Sequence, residues 1–431
     1  MLGALGTPVR VGAALVACAI ALPFARGLAL AVSLVLLVVG AAIAQAEGLW
    51  RAWLGGTIAL ASVLAIVTFA QLLAAAIELG GYNVALVRWL ESRLRWRGAR
   101  LHVAVLSSFI LGWVTAGAAL VASCGVLARP DDDASERDAL VRSSMRGVGA
   151  AVAMTPVTGA FGVTIAMTGV APLTVVLLAL PVALLIVALA LAAARGGRPQ
   201  ELPAARELPA LPDPPSRPLW EAGAAVLVLL ALVLGLGAFA RLGALYAIVL
   251  AILAVSAGWM LLIDAEGALT RWRLLPWQTV RTASSFALFI PAGALAAVVG
   301  AGTWHVRLAG ALLALSTFVP PTLAIAGSIW LLFQIGIHPA VSIGVIAPAA
   351  LRSGLASPTL VALAGVMAAG VGVMSSPFGV VAGLASGMTG RGIFRVGVLW
   401  HLAFGFLALV LGSLLAQRVS TLLGLSARGV I

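Results

Sequence analysis

Two stretches decide the fold: residues 154–169, MTPVTGAFGVTIAMTG, and residues 375–390, SSPFGVVAGLASGMTG. In each, the glycine of a Met-Thr-Gly follows a proline by thirteen positions, and another glycine (Gly162, Gly383) lies six past that proline. Pro156 and Pro377 are 221 positions apart. Proline removes a backbone donor and clashes with the preceding turn, so each stretch predicts an interrupted helix. Thr155, Thr158 and Gly159 surround the first break; Ser375, Ser376 and Gly379 surround the second. A break exposes half-helix ends, whose amides attract anions and whose carbonyls attract cations. One such kink would read as a proline packed by small residues. Matched breaks in two halves of a membrane chain point instead to a transporter site.

The rest of the composition agrees with a membrane setting. The chain has 431 residues, 62% of them hydrophobic and 9% charged. Soluble domains carry about a quarter charged residues, so this chain lacks the charge to clothe a soluble surface. Its apolar content excludes disorder. Only Cys18 and Cys124 are present, both within apolar runs, which excludes a disulfide scaffold. Lipid admits helices or closed barrels, and the apolar runs do not alternate as barrel strands would. The class is therefore an all-α polytopic membrane protein.

Spans of about 20 apolar residues are expected near 11–25, 27–46, 55–79, 138–168 (interrupted), 172–194, 219–240, 242–263, 283–302, 355–390 (interrupted) and 394–416. Residues 195–218 form a proline-rich polar linker. It separates an N-terminal repeat, 1–194, from a C-terminal one, 219–431. The 221-residue offset also carries Gly81 onto Gly302 and Ser107 onto Ser328. Five crossings per half is odd, so the expected architecture is two inverted repeats of five transmembrane helices. There is no lysine, and the net charge of +12 rests on 26 arginines between the apolar runs. That distribution reads as membrane topology rather than nucleic-acid binding. With a cytoplasmic arm at 88–100, 19 arginines fall inside and 7 outside, the four at 129–146 among the former.

Each half also carries an arm and a hairpin. Residues 82–101 interleave Arg88, Arg93, Arg95, Arg97 and Arg100 with apolar residues, as an interfacial amphipathic helix would; 303–321 is its counterpart. Residues 102–127 and 322–352 are expected to be re-entrant hairpins. Their tips fall near Trp113, Thr115 and Gly117, and near Gln334, Gly336, His338 and Pro339. Non-helical backbone at that depth needs protein or a water-filled cavity around it, so the tips join the candidate solute site. Acidic residues avoid the span centres, Glu78 being nearest to an interior, which argues against a carboxylate proton relay. The four histidines lack metal spacing, and no Walker A, GxSxG, HExxH or CxxC pattern occurs.

The run from Ala74 to Pro130, which opens AAAIELGGYNVALVRWLESRLRWRGAR and closes GVLARP, resembles the ion transporter superfamily, as does GVGVMSSPFGVVAGLASGMTG at 370–390. That group includes divalent anion:sodium symporters, arsenite permeases, sodium/proton antiporters and dicarboxylate carriers. The resemblance implies paired hairpins and unwound helices holding solute and cations, and dimers that move by an elevator. It carries a binding role onto Thr155, Pro156, Thr158, Ser375, Ser376 and Pro377. This chain departs from the family in its break motifs, which contain no asparagine; Asn83 is the only one present.

The expected function is secondary transport of a small anionic solute, an organic carboxylate, across the inner membrane. Coupling would be to sodium or protons with no other cofactor, by a homodimer without enzymatic activity. The expected site comprises Thr155, Pro156, Thr158, Gly159, Ser375, Ser376, Pro377, Gly379, Thr115, Gln334 and His338. The alternatives are a cation/proton antiporter of the same fold, which would depend on Glu78, and a membrane enzyme or scaffold.

Overall fold

A computed structural model describes residues 12, 15, 16, 18, 19, 28–59, 61–94, 96, 98–195, 219–238, 244–281 and 283–423. The expected span at 11–25 falls largely outside these residues, and the linker lies outside them beyond Arg195. The described residues contain helices and no strand. The first half runs α1 (Leu28–Glu47), α2 (Trp50–Ala59), α3 (Ala61–Leu79), α4 (Tyr82–Arg93), α5 (Ala99–Thr115), a 3-10 turn at Ala116–Ala118, α6 (Ala119–Leu127), α7 (Ala134–Val152), α8 (Gly159–Thr168) and α9 (Pro172–Arg195). The second half runs α10 (Leu219–Ala238), α11 (Ala244–Ile263), α12 (Ala265–Arg281), α13 (Ala283–Ala301), α14 (Trp304–Ser316), α15 (Pro321–Gln334), α16 (Pro339–Arg352), α17 (Pro358–Ser375), α18 (Val380–Thr389), a π-helical turn at Arg395–Leu399, and α19 (Trp400–Leu422).

Several boundaries differ from the sequence expectation. The arm at 82–101 is not one helix: α4 ends at Arg93, and α5 begins after Gly98, whose φ of 83° only glycine adopts readily. Residues 265–281, between the spans expected at 242–263 and 283–302, form a helix of their own, α12. The interrupted span begins at Ala134 because the Asp133 carboxylate accepts a 2.7 Å hydrogen bond from the Glu136 amide and caps α7. Prolines 321, 339 and 358 each sit in the first turn of a helix, where the missing amide costs nothing.

Residues Ala99–Leu127 are long and apolar enough to cross a membrane as one helix. They double back instead. The Arg100 guanidinium, at the start of α5, donates to the Leu127 carbonyl at the end of α6 (Nε to O, 3.1 Å), and Arg100 also pairs with Asp132 in the following connection. The turn between the limbs places Ala116 at φ 48°, in a region non-glycine residues avoid. In the second half, α15 and α16 pack on each other around residues 335–338, where Gly336 has φ 96°. The arm α4 packs on both α5 and α6, and α14 packs on both α15 and α16.

The two halves meet where α7 crosses α17. A Cβ on Gly149 would stand 2.9 Å from the Gly370 carbonyl, and a Cβ on Gly370 would stand 2.5 Å from the Gly149 carbonyl. These residues are themselves 221 positions apart. Beyond the crossing, α8 packs on α16 and α18 packs on α6, so each half-helix leans on the other half's hairpin.

Gly370→Leu is expected to destabilise the protein by about 2 kcal/mol or more, because the obstacle is backbone. Thermal melting in detergent checks it, with Gly310→Leu, in open space on α14, as the neutral control. A second outcome concerns Asp132. Burial raises its pKa, but the Arg100 hydrogen bond and the Arg129 amide lower it more, and the net shift is downward. A carboxylate with a lowered folded pKa contributes stability that is complete above its unfolded value of about 3.9 and lost as pH falls through the folded one. Asp132→Asn should therefore cost about 3 kcal/mol at pH 7, and its melting deficit should shrink as pH falls below about 3.9.

Candidate functional site

The repeated Met-Thr-Gly has a local cause. Gly169 and Gly390 both terminate ten-residue half-helices, α8 and α18, with φ of 68°. The preceding threonines bond back one turn, Thr168 Oγ1 to the Thr164 carbonyl and Thr389 Oγ1 to the Ala385 carbonyl, both 2.7 Å. The motif is thus a helix stop, and the thirteen-residue spacing measures one break plus one short helix.

The breaks themselves are built alike. Thr155, fully buried, donates its hydroxyl to the Trp113 carbonyl at the end of the first hairpin limb and accepts the Val157 amide at 3.4 Å. Ser376, also fully buried, donates to the Phe333 carbonyl at the end of the other first limb (2.8 Å) and accepts the Phe378 amide at 3.2 Å. Each break is therefore stitched to the hairpin of its own half by one hydroxyl. Both hydroxyl protons are committed to protein carbonyls, so neither can donate to a bound anion.

The second node is the more polar. Ser375 gives its proton to the Val371 carbonyl (2.7 Å) and accepts the Trp330 indole N–H at 2.8 Å, with the Gln334 amide 3.2 Å away. Gln334 placed with its oxygen toward Trp330 instead accepts that N–H and donates to the Ser375 carbonyl. His338 caps α16 by accepting the Ala340 amide at 3.2 Å, and its ring stands edge-on to Phe289 with centroids 5.0 Å apart. Gly379 starts α18 without a side-chain cap, whereas Thr158 caps α8 by accepting the Phe161 amide at 3.3 Å. The amides of α18 are consequently the less satisfied of the two helix starts.

Most of the expected residues converge on these nodes. The first hairpin tip reaches the second break: a Cβ on Gly117 would lie 3.2 Å from Val381 of α18. Thr115 sits beside that tip, its hydroxyl bonded to the Leu111 carbonyl at 2.9 Å. Gly159 opens α8, and Pro377 is buried beneath the π-helical turn, where a Cβ on Gly397 would fall 2.8 Å from the Pro377 nitrogen. Pro156 is the exception among them. It lines a small apolar cavity of about 20 Å³ with Val157, Pro172 and residues of α10 and α11. A larger cavity of about 530 Å³ lies between α10 and α11, beside Trp220 and Glu221 and away from the breaks. Glu78 is exposed at the end of α3, 3.7 Å from Arg271, and so contributes nothing to either break.

Three residues of consequence escaped the sequence reading. Arg142 and Arg146, counted there with a cytoplasmic connection, stand on the third and fourth turns of α7 and are part-buried. Gly397, whose lack of a side chain lets the π-helical turn close on Pro377, carried no spacing signal either.

The chain shares its fold with a membrane transporter. It matches the crystal structure of the Alcanivorax borkumensis YdaH transporter, described as having an unusual topology, with a TM-score of 0.57 over 91% of this chain and 98% of that one. Identity is 17%, so the likeness concerns the fold. No family model matches the sequence, and no curated protein matches it. With its apolar helices, the molecule is a multi-pass membrane protein with a transporter-like helical fold.

Thr155→Val and Ser376→Ala should each leave the chain folded but loosen the tie between break and hairpin. Each removes a buried hydroxyl that satisfies a carbonyl, a loss of about 1–3 kcal/mol. Hydrogen exchange read by mass spectrometry should rise at 113–118 in the first variant and at 333–339 in the second, with the opposite node unchanged.

Proposed function

We propose that this chain is a secondary active transporter of a small anionic solute, an organic carboxylate, driven by sodium or protons. The observation that carries the reading is the pair of hydroxyl-stitched breaks, each tied to a hairpin and packed against the hairpin of the opposite half. Such an assembly can move as one body, which suits an elevator against a scaffold of outer helices. The halves would be inverted repeats; the reciprocal Gly149–Gly370 contact at the repeat offset supports this. The solute's carboxylate would meet the uncapped start of α18, near Gly379, where helix amides and the dipole favour negative charge. The coupling cation would be held by carbonyls freed at the breaks. The transporter would act in the inner membrane, as a dimer, without chemical turnover.

An antiporter relying on Glu78 receives no support from its exposed position beside Arg271. Proteoliposome uptake of succinate, with and without an inward sodium or proton gradient, tests the proposal. Gradient-dependent uptake by the wild type is expected. It should fall at least tenfold in Thr155→Val and Ser376→Ala and be unchanged in Glu78→Gln. Succinate-independent sodium efflux that disappears in Glu78→Gln would overturn the reading.

A further inference from the structure

α7 presents to α19 two arginines that form no ion pair among the described residues. Asp138, in the second turn of α7, is buried and already holds Arg391, its Oδ2 2.9 Å from Nε. One and two turns further along stand Arg142 and Arg146. The Arg142 guanidinium carbon lies 4.9 Å from the ring centroid of Trp400, and that of Arg146 lies 4.5 Å from that of Phe404. Among the described residues neither has a hydrogen bond or an ion pair with a protein group, and the buried Nε of each is unpartnered. Arg395 adds further positive charge near Arg142.

Between these aromatic residues on α19 is His401. It is completely buried, and neither ring nitrogen has a partner. A buried polar atom left unpaired destabilises the fold, and a part-buried arginine without an ion-pair partner adds to that cost. Stacking on aromatic faces offsets part of this. What remains unmatched is a set of hydrogen-bond donors: two guanidinium groups and an imidazole N–H, brought together where the arginines of α7 stack on the aromatic residues of α19. Both arginines stay partly exposed, so a ligand can reach them.

We propose that Arg142, Arg146 and His401 form a binding site for an oxyanion, a carboxylate or phosphate group that completes their hydrogen bonds. Guanidinium forks match the two oxygens of such a group. The group can arrive on a free solute or as the headgroup phosphate of an anionic lipid. The site uses donors other than the break hydroxyls and is defined by binding, so it stands whether or not the chain transports succinate.

The test uses the full chain, purified in detergent. Melting is followed against sodium phosphate and sodium succinate, with sodium chloride at equal ionic strength as reference. In parallel, the protein is placed in nanodiscs of phosphatidylglycerol or phosphatidylcholine, and retained lipid is measured by native mass spectrometry. Stabilisation by a soluble oxyanion identifies a solute site; selective retention of phosphatidylglycerol identifies a lipid site. In either arm Arg142→Gln/Arg146→Gln should weaken binding at least tenfold. His401→Phe should weaken it less, and Arg307→Gln, an exposed arginine that also stacks on a tryptophan, should leave it unchanged. If the glutamine pair does not fold, Arg142→Lys/Arg146→Lys replaces it, with charge kept and bidentate bonding lost; several-fold weaker binding is expected. A wild type indifferent to phosphate, succinate and phosphatidylglycerol would overturn the site, as would variants that bind like the wild type.

Discussion

Two glycines set the distance between the broken helices. Gly149 and Gly370 present backbone to backbone where α7 crosses α17, and neither could carry even a methyl group without displacing a carbonyl. In a membrane, where lipid is as apolar as leucine, close approach of small residues is a main source of helix association. The crossing brings the two breaks to one region of the molecule and lets each short half-helix rest on the hairpin of the other half.

The nodes solve a problem that proline creates. Interrupting a helix inside lipid exposes backbone groups with no water to receive them. Here one hydroxyl per break answers, giving its proton to the end of a hairpin limb and taking an amide two residues on. The same bond therefore satisfies the break and fixes the hairpin. It also uses the hydroxyl proton, so the breaks have amides and carbonyls to offer a solute rather than hydroxyl donors. The strongest donors lie elsewhere, on the arginine face of α7, where charge of one sign gathers around a single acidic residue that is already paired.

Much of the candidate site was legible. Pro156 and Pro377 marked the breaks because a proline's missing amide acts locally. Met-Thr-Gly marked the half-helix ends because a left-handed stop selects glycine wherever it occurs. The hairpin turns fell beside Thr115 and Gln334 because small and turn-forming residues collect there. Arg142 and Arg146 were misread because an arginine in a chain of this composition usually marks a membrane surface. Only the packing of α7 on its neighbours reveals which arginines face inward. Gly397 was silent because its role is an absence of atoms against a proline twenty residues away.

The amino-acid sequence alone determined that the chain lives in lipid as helices, where the helices stop and break, and that the two break motifs stand 221 residues apart. These follow from hydropathy and from the backbone chemistry of proline and glycine, which act over a few residues. Tertiary structure alone decided that Ala99–Leu127 folds back on itself through Arg100, and that Thr155 and Ser376 bond to hairpin carbonyls more than forty positions away. It also decided that Pro156 turns toward an apolar cavity, and that two arginines stack on the aromatic residues either side of a buried histidine. Each of those depends on which surfaces meet, and contact between distant segments leaves no period or spacing in a single chain.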